Sequence, residues 1–130
     1  NHIIGTNAGS DSYFTRVTKA INGTVYRVLM VCIEAPDGGA VDIDLYSNQD
    51  EVNTGDNASS AGSNQIQLIN GGSWAIGNAK EGLGQGGTWS GLDDDYLYLA
   101  HGSGGLTNAD LTQGKYMIKL YGVADFTGVS

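Results

Sequence analysis

Clusters of glycine that divide the chain into short segments constrain its fold more than any other feature. Of 130 residues, 21 are glycine and one is proline, and the glycines gather in stretches such as APDGGA, EGLGQGG and HGSGG. Glycine and proline interrupt regular elements and favour turns. Between the clusters, apolar and polar residues alternate over short stretches, which is the pattern of half-buried β-strands. The sequence therefore predicts an all-β protein.

Two predicted strands lie on either side of the APDGGA turn. Residues 24–34 are apolar at nearly every position, which predicts a strand covered on both faces. Residues 41–46, VDIDLY, alternate and predict a half-buried strand. Pro36, with a fixed φ, and the two glycines after it favour a turn, so the two strands are predicted to form a hairpin. Further strands are predicted over residues 13–19, 65–69, 73–79, 96–101 and 115–121. Residues 79–81 could begin a helical turn that the following glycines stop, so no helix is predicted.

About seven to eight short strands with glycine-rich loops are typical of an antiparallel β-sandwich or jelly roll. A chain of 130 residues fits one domain. We predict an N-terminal arm over residues 1–12 and a single β-sandwich domain over residues 13–130. Residues 47–64 are polar and lack periodicity, and a loop of that length is usually functional or mobile.

The composition excludes some classes of partner. The chain has 14 acidic residues against six Lys plus Arg, a formal net charge of −8, which argues against nucleic acid. Its longest apolar run is far too short for a membrane span, so no membrane partner is predicted. The single cysteine, Cys32, cannot form an intramolecular disulfide and is predicted to be a buried thiol.

The stretch GLDDDYLYLAHGSGG raises the question of catalysis or metal binding. Asp93, Asp94 and Asp95 predict either a charged, solvated turn before a strand or a calcium site built from carboxylate oxygens. Asp42 and Asp44 lie on one face of a strand, as a glycosidase pair could, but a polar outer face has the same pattern. Too few nitrogen and sulfur ligands accompany His101 for a zinc site. The structural interpretation is favoured in each case, so we predict no catalytic, metal or cofactor-binding residue and no enzyme activity.

Four apolar residues are candidates for contact with a partner. Trp74 and Trp89 flank the glycine-rich loop and either fill the core or contact another protein. Trp89, in the context GGTWSG, is the better contact candidate, because tryptophan is enriched at interface hot spots. Ile3 and Ile4 are the two isoleucines of the otherwise small and polar arm, which suits a segment that becomes ordered on docking.

The segments VDIDLYSN, AKEGL, YLYLAHG and LTQGKYMIKLYG, in that order, resemble small virion structural proteins of tailed phages, especially marine and cyanobacterial podoviruses. The chain looks like a head decoration or cement protein over roughly residues 25–123. The resemblance implies a non-enzymatic all-β module, made in the host cytoplasm and located on the capsid surface of the virion. It further implies a homo-oligomer that binds the major capsid protein and bridges its subunits.

A second resemblance leads to an alternative function. VDIDLY followed by GKYMIKLYG is similar to the bacterial pre-peptidase C-terminal type of β-sandwich, with Asp42, Asp44, Leu45 and Tyr46, and later Gly114 and Tyr116, at the matching positions. This resemblance implies an accessory module of a secreted protein that binds carbohydrate or calcium.

Overall fold

The computed structural model describes residues 13–38, 42–49, 65–84, 89, 92–101 and 112–124. These residues form seven strands and one helical turn: β1 (Thr15–Val17), α1 (Lys19–Asn22), β2 (Thr24–Asp37), β3 (Ile43–Asn48), β4 (Ile66–Ile69), β5 (Ala79–Leu83), β6 (Asp95–His101) and β7 (Gln113–Val123). The predicted arm over residues 1–12, with Ile3 and Ile4, lies outside the described residues, as do residues 50–64 of the predicted long loop.

The strands form two sheets. The four-stranded sheet has the order β1-β6-β3-β4, and the three-stranded sheet has the order β5-β2-β7. All pairings between these strands are antiparallel. The predicted all-β class and antiparallel two-sheet architecture are confirmed. The four-residue α1 is the only helix in the described ranges, and no described helix is long and apolar enough to cross a membrane.

One hydrophobic core lies between the sheets. Its wholly buried members include Val28 and Met30 of β2, Leu45 of β3 and Leu97 of β6. Each such side chain contributes about 1.5–3 kcal/mol relative to an exposed position. Ile118 of β7 packs against the same cluster from the three-stranded sheet. The apolar positions of the alternating strands therefore determine which face each sheet turns inward.

The predicted hairpin between the second and third strands is wrong. β2 pairs with β5 and β7, whereas β3 pairs with β4 and β6 in the other sheet. β2 continues through Pro36 to Asp37, so the proline lies inside the strand and does not begin the turn. The chain then crosses from one sheet to the other, a connection that the same turn residues permit and that local sequence cannot distinguish from a hairpin.

The predicted burial of these two strands is also wrong, and in opposite directions. β2 buries only one face: Val28 and Met30 are inaccessible, whereas Ile33 is 52% exposed. Every residue of β3, including Asp44, is buried. An apolar run is compatible with a strand covered on one face or on two, and burial depends on what the fold places over each face.

Two local assignments need correction. Residues 73–78, part of a predicted strand, lie outside any strand and include a turn at residues 76–77, and β5 occupies residues 79–83, although the sequence of residues 79–81 could also begin a helical turn. Gly82 in β5 has a structural reason, since an added Cβ would overlap the carbonyl oxygen of Leu68 in the opposite sheet. The predicted strand over residues 13–19 is only β1, because the chain turns into α1 at its end.

Both tryptophans belong to the core. Trp74 is 6% exposed, and its indole Nε1 donates a hydrogen bond to the Ile43 carbonyl at 2.8 Å. Its ring packs edge-on against Tyr116, with centroids 5.2 Å apart. Trp89 is 5% exposed and lies beside Gly84, to which it forms an isolated bridge. Rings buried to this extent leave a partner almost no surface, so we withdraw Trp74 and Trp89 as contact candidates.

Candidate functional site

The three consecutive aspartates have different environments. Asp94 adopts a positive φ of 65°, which aspartate tolerates in turns, and forms an ion pair with Arg16. Asp93 accepts a hydrogen bond from the backbone N–H of Lys19 at 3.1 Å. Asp95 is only 1% exposed, and burial raises the pKa of its carboxyl. The carboxylates thus diverge: Asp93 and Asp94 fasten the β1–α1 segment to the start of β6, whereas Asp95 is buried.

This geometry fits the charged turn better than the calcium site. Asp93 and Asp94 each already face a cation, and a calcium ion needs six to eight converging oxygens. Within the described ranges, no group of three or more His, Cys, Asp or Glu is placed to hold a metal ion. His101 ends β6 opposite Ile43.

Asp44 is the centre of a buried polar network. Its Oδ2 accepts hydrogen bonds from the Tyr46 hydroxyl at 3.0 Å and from Gln67 Nε2 at 2.6 Å. Its Oδ1 accepts one from the backbone N–H of Gly71 at 2.6 Å. The network connects β3 to β4 and to the segment that follows β4. Desolvation by burial raises the pKa of Asp44, although these three donors act in the opposite direction.

Asp44 therefore has a structural role, but not the one that the sequence predicts. It is 0% exposed, so it does not belong to a polar outer face, and its carboxylate cannot reach a substrate. Burial also raises the pKa of Tyr46 to about 12, which keeps the hydroxyl proton available to Asp44. Cys32 is buried as predicted, and burial raises the pKa of its thiol, which makes it a poor nucleophile.

The side of the three-stranded sheet that points away from the core is the main exposed surface of the described strands, and we call it the open face. Alternation along each strand assigns its members, which are Arg27, Leu29, Val31, Ile33, Ala79, Glu81, Leu83, Met117, Lys119 and Tyr121. Three large apolar side chains on it are about half exposed: Ile33 at 52%, Leu83 at 48% and Met117 at 47%. Contiguous apolar surface of this kind marks interaction sites in soluble proteins.

The strand register arranges the open face in rows across the sheet. Leu29 of β2 lies between Glu81 of β5 and Lys119 of β7. The neighbouring row consists of Ala79, Val31 and Met117, and the row on the other side consists of Leu83, Arg27 and Tyr121. The face therefore has an aliphatic centre on β2, with charges and larger side chains toward its margins, which resembles the layout of a protein interface.

The charges on the open face are organised around one aromatic ring. Arg27 forms an ion pair with Glu81 at 2.6 Å, and its guanidinium lies 4.9 Å from the ring centroid of Tyr121. Lys119 Nζ lies 4.9 Å from the same centroid. Among the described residues, Lys119 has no carboxylate partner, so its charge is available to an arriving surface.

The three-stranded sheet differs in charge from the chain as a whole. Its strands contain four of the six Lys plus Arg and three of the 14 Asp plus Glu, a net charge of +1 in a chain of −8. The cations are Arg27, Lys80, Lys115 and Lys119. Lys115 pairs with Glu34 at 3.2 Å, and Lys80 Nζ lies 4.8 Å from the ring centroid of Trp74.

Sequence reasoning missed the open face because it predicted that β2 is covered on both sides. A signal was present in the alternating positions 115, 117, 119 and 121 of β7, where lysines share a face with methionine and tyrosine.

Comparison of the chain with models of known protein families, with curated proteins and with solved structures finds no match.

Proposed function

We propose that this chain is a non-enzymatic structural protein of a virion, a decoration or cement module that binds the outer surface of a capsid and bridges major capsid subunits. The observation that carries the proposal is the open face, a half-exposed apolar surface on the outer side of the three-stranded sheet. A module of this kind acts by contact, and contact requires a surface of this composition.

The position of the open face supports this function. It lies on regular strands whose opposite sides are held in the core by Val28, Met30 and Ile118. Such support holds the backbone of this face in place before binding, so less conformational entropy is lost on association. Because a capsid repeats its subunits by symmetry, contacts of modest individual strength would accumulate into high occupancy.

The test is co-sedimentation with shells assembled from the major capsid protein encoded in the same genome. We expect the purified chain to pellet with the shells at a fixed stoichiometry and to remain in the supernatant without them. A genome with no capsid gene, or shells that never retain the chain, would overturn the proposal.

A matched pair of variants connects binding to the open face. Met117→Asp places a charge on this face at a site that is 47% exposed, and we expect it to lower the retained fraction about tenfold or more. Ile21→Asp introduces the same charge on α1, where the side chain is 82% exposed, and should leave retention unchanged. Equal retention of both variants would remove the open face from the mechanism.

An accessory binding module of a secreted protein is the second candidate, and one observation favours it. Tyr26 is 41% exposed, and its ring centroid lies 6.3 Å from that of Tyr121 at the edge of the open face. Exposed aromatic rings on a sheet could stack against sugars. Binding to a panel of immobilised oligosaccharides, lost in Tyr26→Ala, would support this candidate, as would heat and a raised melting temperature on titration with calcium. No binding to either probe would contradict it.

A further inference from the structure

We propose that the open face binds the open face of a second copy of this chain, with a two-fold axis that runs parallel to β2. The inference rests on the proposed function only in taking this face as a protein contact. It assigns the face to a second copy, so that the open face serves capsid binding through the bivalence of the dimer, and it names the register in which the two copies meet.

The row arrangement makes the open face complementary to itself about this axis. Rotation about an axis along β2 keeps each row at its height and exchanges the two margins of the sheet. The β7 strand of one copy then lies over β5 of the other, and the β2 strands face each other. Leu29 and Val31, at the aliphatic centre, would meet their own equivalents, as an isologous interface requires.

Charge complementarity supports this register. Because Glu81 and Lys119 lie in the same row on opposite margins, the rotation places each Lys119 over the Glu81 of the second copy. Lys119, which lacks a carboxylate partner within the described part of its own chain, gains one there. Arg27 lies on the axis and faces its own equivalent, and Glu81 then lies between two cations, Arg27 of its own chain at 2.6 Å and Lys119 of the second copy.

Side-chain sizes are also complementary in this register. The row with Ala79 on one margin has Met117 on the other, so the rotation places the long methionine over the small alanine of the second copy. Large side chains opposite small ones allow two sheet faces to interdigitate. The same rotation places Leu83 over Tyr121 of the second copy, an aliphatic side chain against an aromatic one.

An axis perpendicular to the strands would not give this complementarity. Such a rotation keeps each margin on its own side and would bring β7 over β7. Centred on the row of Leu29, it would place Lys119 over Lys119 and Glu81 over Glu81. Like charges that face each other across an interface are unfavourable. The perpendicular axis creates two such pairings and no pairing of opposite charges, whereas the parallel axis creates one, Arg27 with its equivalent, and two pairings of Lys119 with Glu81, so the charges select the parallel axis.

The size of the face predicts a reversible dimer. Three strands at ~4.8 Å spacing and about seven residues at ~3.3 Å each, the span of the face along β2, give a projected area of roughly 14 Å by 23 Å. Side chains that stand off the sheet add to this projection, but the total remains near or below the ~800 Å² per partner of a standard interface. A dissociation constant on the order of micromolar is expected. A two-fold dimer would present two copies of every remaining surface, which is what bridging two capsid subunits requires.

The experiment is sedimentation equilibrium of the purified chain, without shells, from about 1 to 500 μM, a range that brackets micromolar dissociation. We expect a monomer–dimer equilibrium for the wild type. Lys119→Glu would face Glu81 of the second copy and should weaken association about tenfold or more. Because Glu81→Lys would also break the ion pair with Arg27, the double variant is made in an Arg27→Gln background. In that background Lys119→Glu with Glu81→Lys restores opposite charges across the axis and should recover affinity to within about threefold of Arg27→Gln alone.

Lys19→Glu is the matched control, since it makes the same charge change on the exposed α1, away from the open face. It should dimerise like the wild type. A wild type that stays monomeric throughout the range overturns the proposal, and so does a dimer unaffected by Lys119→Glu or not restored by the double variant. A monomeric chain that still co-sediments with shells would overturn the dimer and leave the proposed function standing. A chain that dimerises but is not retained on shells would overturn the proposed function and leave the dimer standing.

Discussion

The two sheets of this protein place polar and apolar residues in opposite environments. β3, in the four-stranded sheet, buries Asp44, Ser47 and Asn48 on a strand with no exposed residue. β2, in the three-stranded sheet, leaves Ile33 half exposed and has only moderately covered aliphatic residues beside it on its outer face. A hydropathy profile would assign these environments the other way round.

The contrast shows that burial follows the partners available to a side chain as well as its polarity. Asp44 tolerates the interior because three donors, from Tyr46, Gln67 and Gly71, compensate for its lost hydration. An exposed isoleucine needs no such compensation; it only fails to gain the favourable free energy of burial. A second molecule that covers the side chain on binding can supply that free energy.

The edges of the sheets differ as well. The four-stranded sheet ends in β1 and β4, of three and four residues. The three-stranded sheet ends on one side in β7, which is 11 residues long and carries Lys115 and Lys119. Short edges and edge lysines both discourage indiscriminate strand pairing. The long β7 strand therefore favours contact through its face over contact through its edge.

The largest expected effect on stability comes from a comparison of two methionines that lie on opposite faces of the three-stranded sheet. Met30→Ala removes a side chain that is 0% exposed in the core and should lower the free energy of unfolding by about 2–5 kcal/mol. Met117→Ala, at 47% exposure on the open face, should lower it by less than ~1 kcal/mol. Urea denaturation at a concentration where the chain is monomeric measures both. Similar losses would mean that the open face is covered within the monomer.

The next prediction compares the stability cost of removing a buried aspartate from the four-stranded sheet with that of truncating an exposed isoleucine in the three-stranded sheet. Asp44→Ala leaves the donors of Tyr46, Gln67 and Gly71 without their acceptor and should cost about 3 kcal/mol. Ile33→Ala, although it removes purely apolar atoms, should cost less than ~1 kcal/mol, because the side chain is 52% exposed. Asp93→Ala is the control for loss of an exposed carboxylate and should change stability by about 0.5 kcal/mol. If Ile33→Ala proved more damaging than Asp44→Ala in urea titrations, the comparison between the sheets would be wrong.

The smallest effect is the pH dependence of stability. Burial raises the pKa of both Asp44 and Asp95 above the ordinary value of 3.8, so the folded state binds protons more readily than the unfolded state. The free energy of unfolding should therefore rise as pH falls from neutrality through the folded-state pKa values, and level off near the ordinary value. Melting temperatures from calorimetry between pH 8 and about pH 4 record this trend.

Two variants distinguish the effect of a buried carboxyl from the effect of total charge on the pH dependence of the melting temperature. Asp95→Asn removes one of the buried carboxyls and should flatten the dependence, whereas Asp93→Asn removes the same formal charge from the exposed part of the same turn and should flatten it less. A melting temperature that falls steadily from pH 8 toward pH 4 would contradict the raised pKa values.

Several strands could be read directly from the sequence. Alternation over residues 96–101 and 115–121 predicted β6 and β7, because an antiparallel strand beside a core repeats its environment every second residue. The short apolar segment over residues 65–69 predicted β4 for the same reason. Where alternation failed, as at residues 73–83, the prediction failed too, since glycines that serve close packing between sheets look the same as glycines that serve turns.

The candidate surface was beyond the reach of the sequence. Its members come from β2, β5 and β7, and no local pattern reveals that these three strands are neighbours. The tryptophans were misjudged for a related reason. Glycine-rich surroundings suggested exposure for Trp89, whereas in the fold the small residue Gly84 leaves room for the ring.

The sequence by itself determined that this protein is built from antiparallel strands around a sandwich core, because glycine placement and two-residue periodicity act locally on the backbone. The tertiary structure alone decided which strands share a sheet, that Asp44 lies inside and that one apolar face lies outside. These properties depend on contacts between residues far apart in the chain, whose energies local sequence does not encode. The same long-range register aligns Glu81 with Lys119 across the open face and so provides the basis for a self-complementary interface.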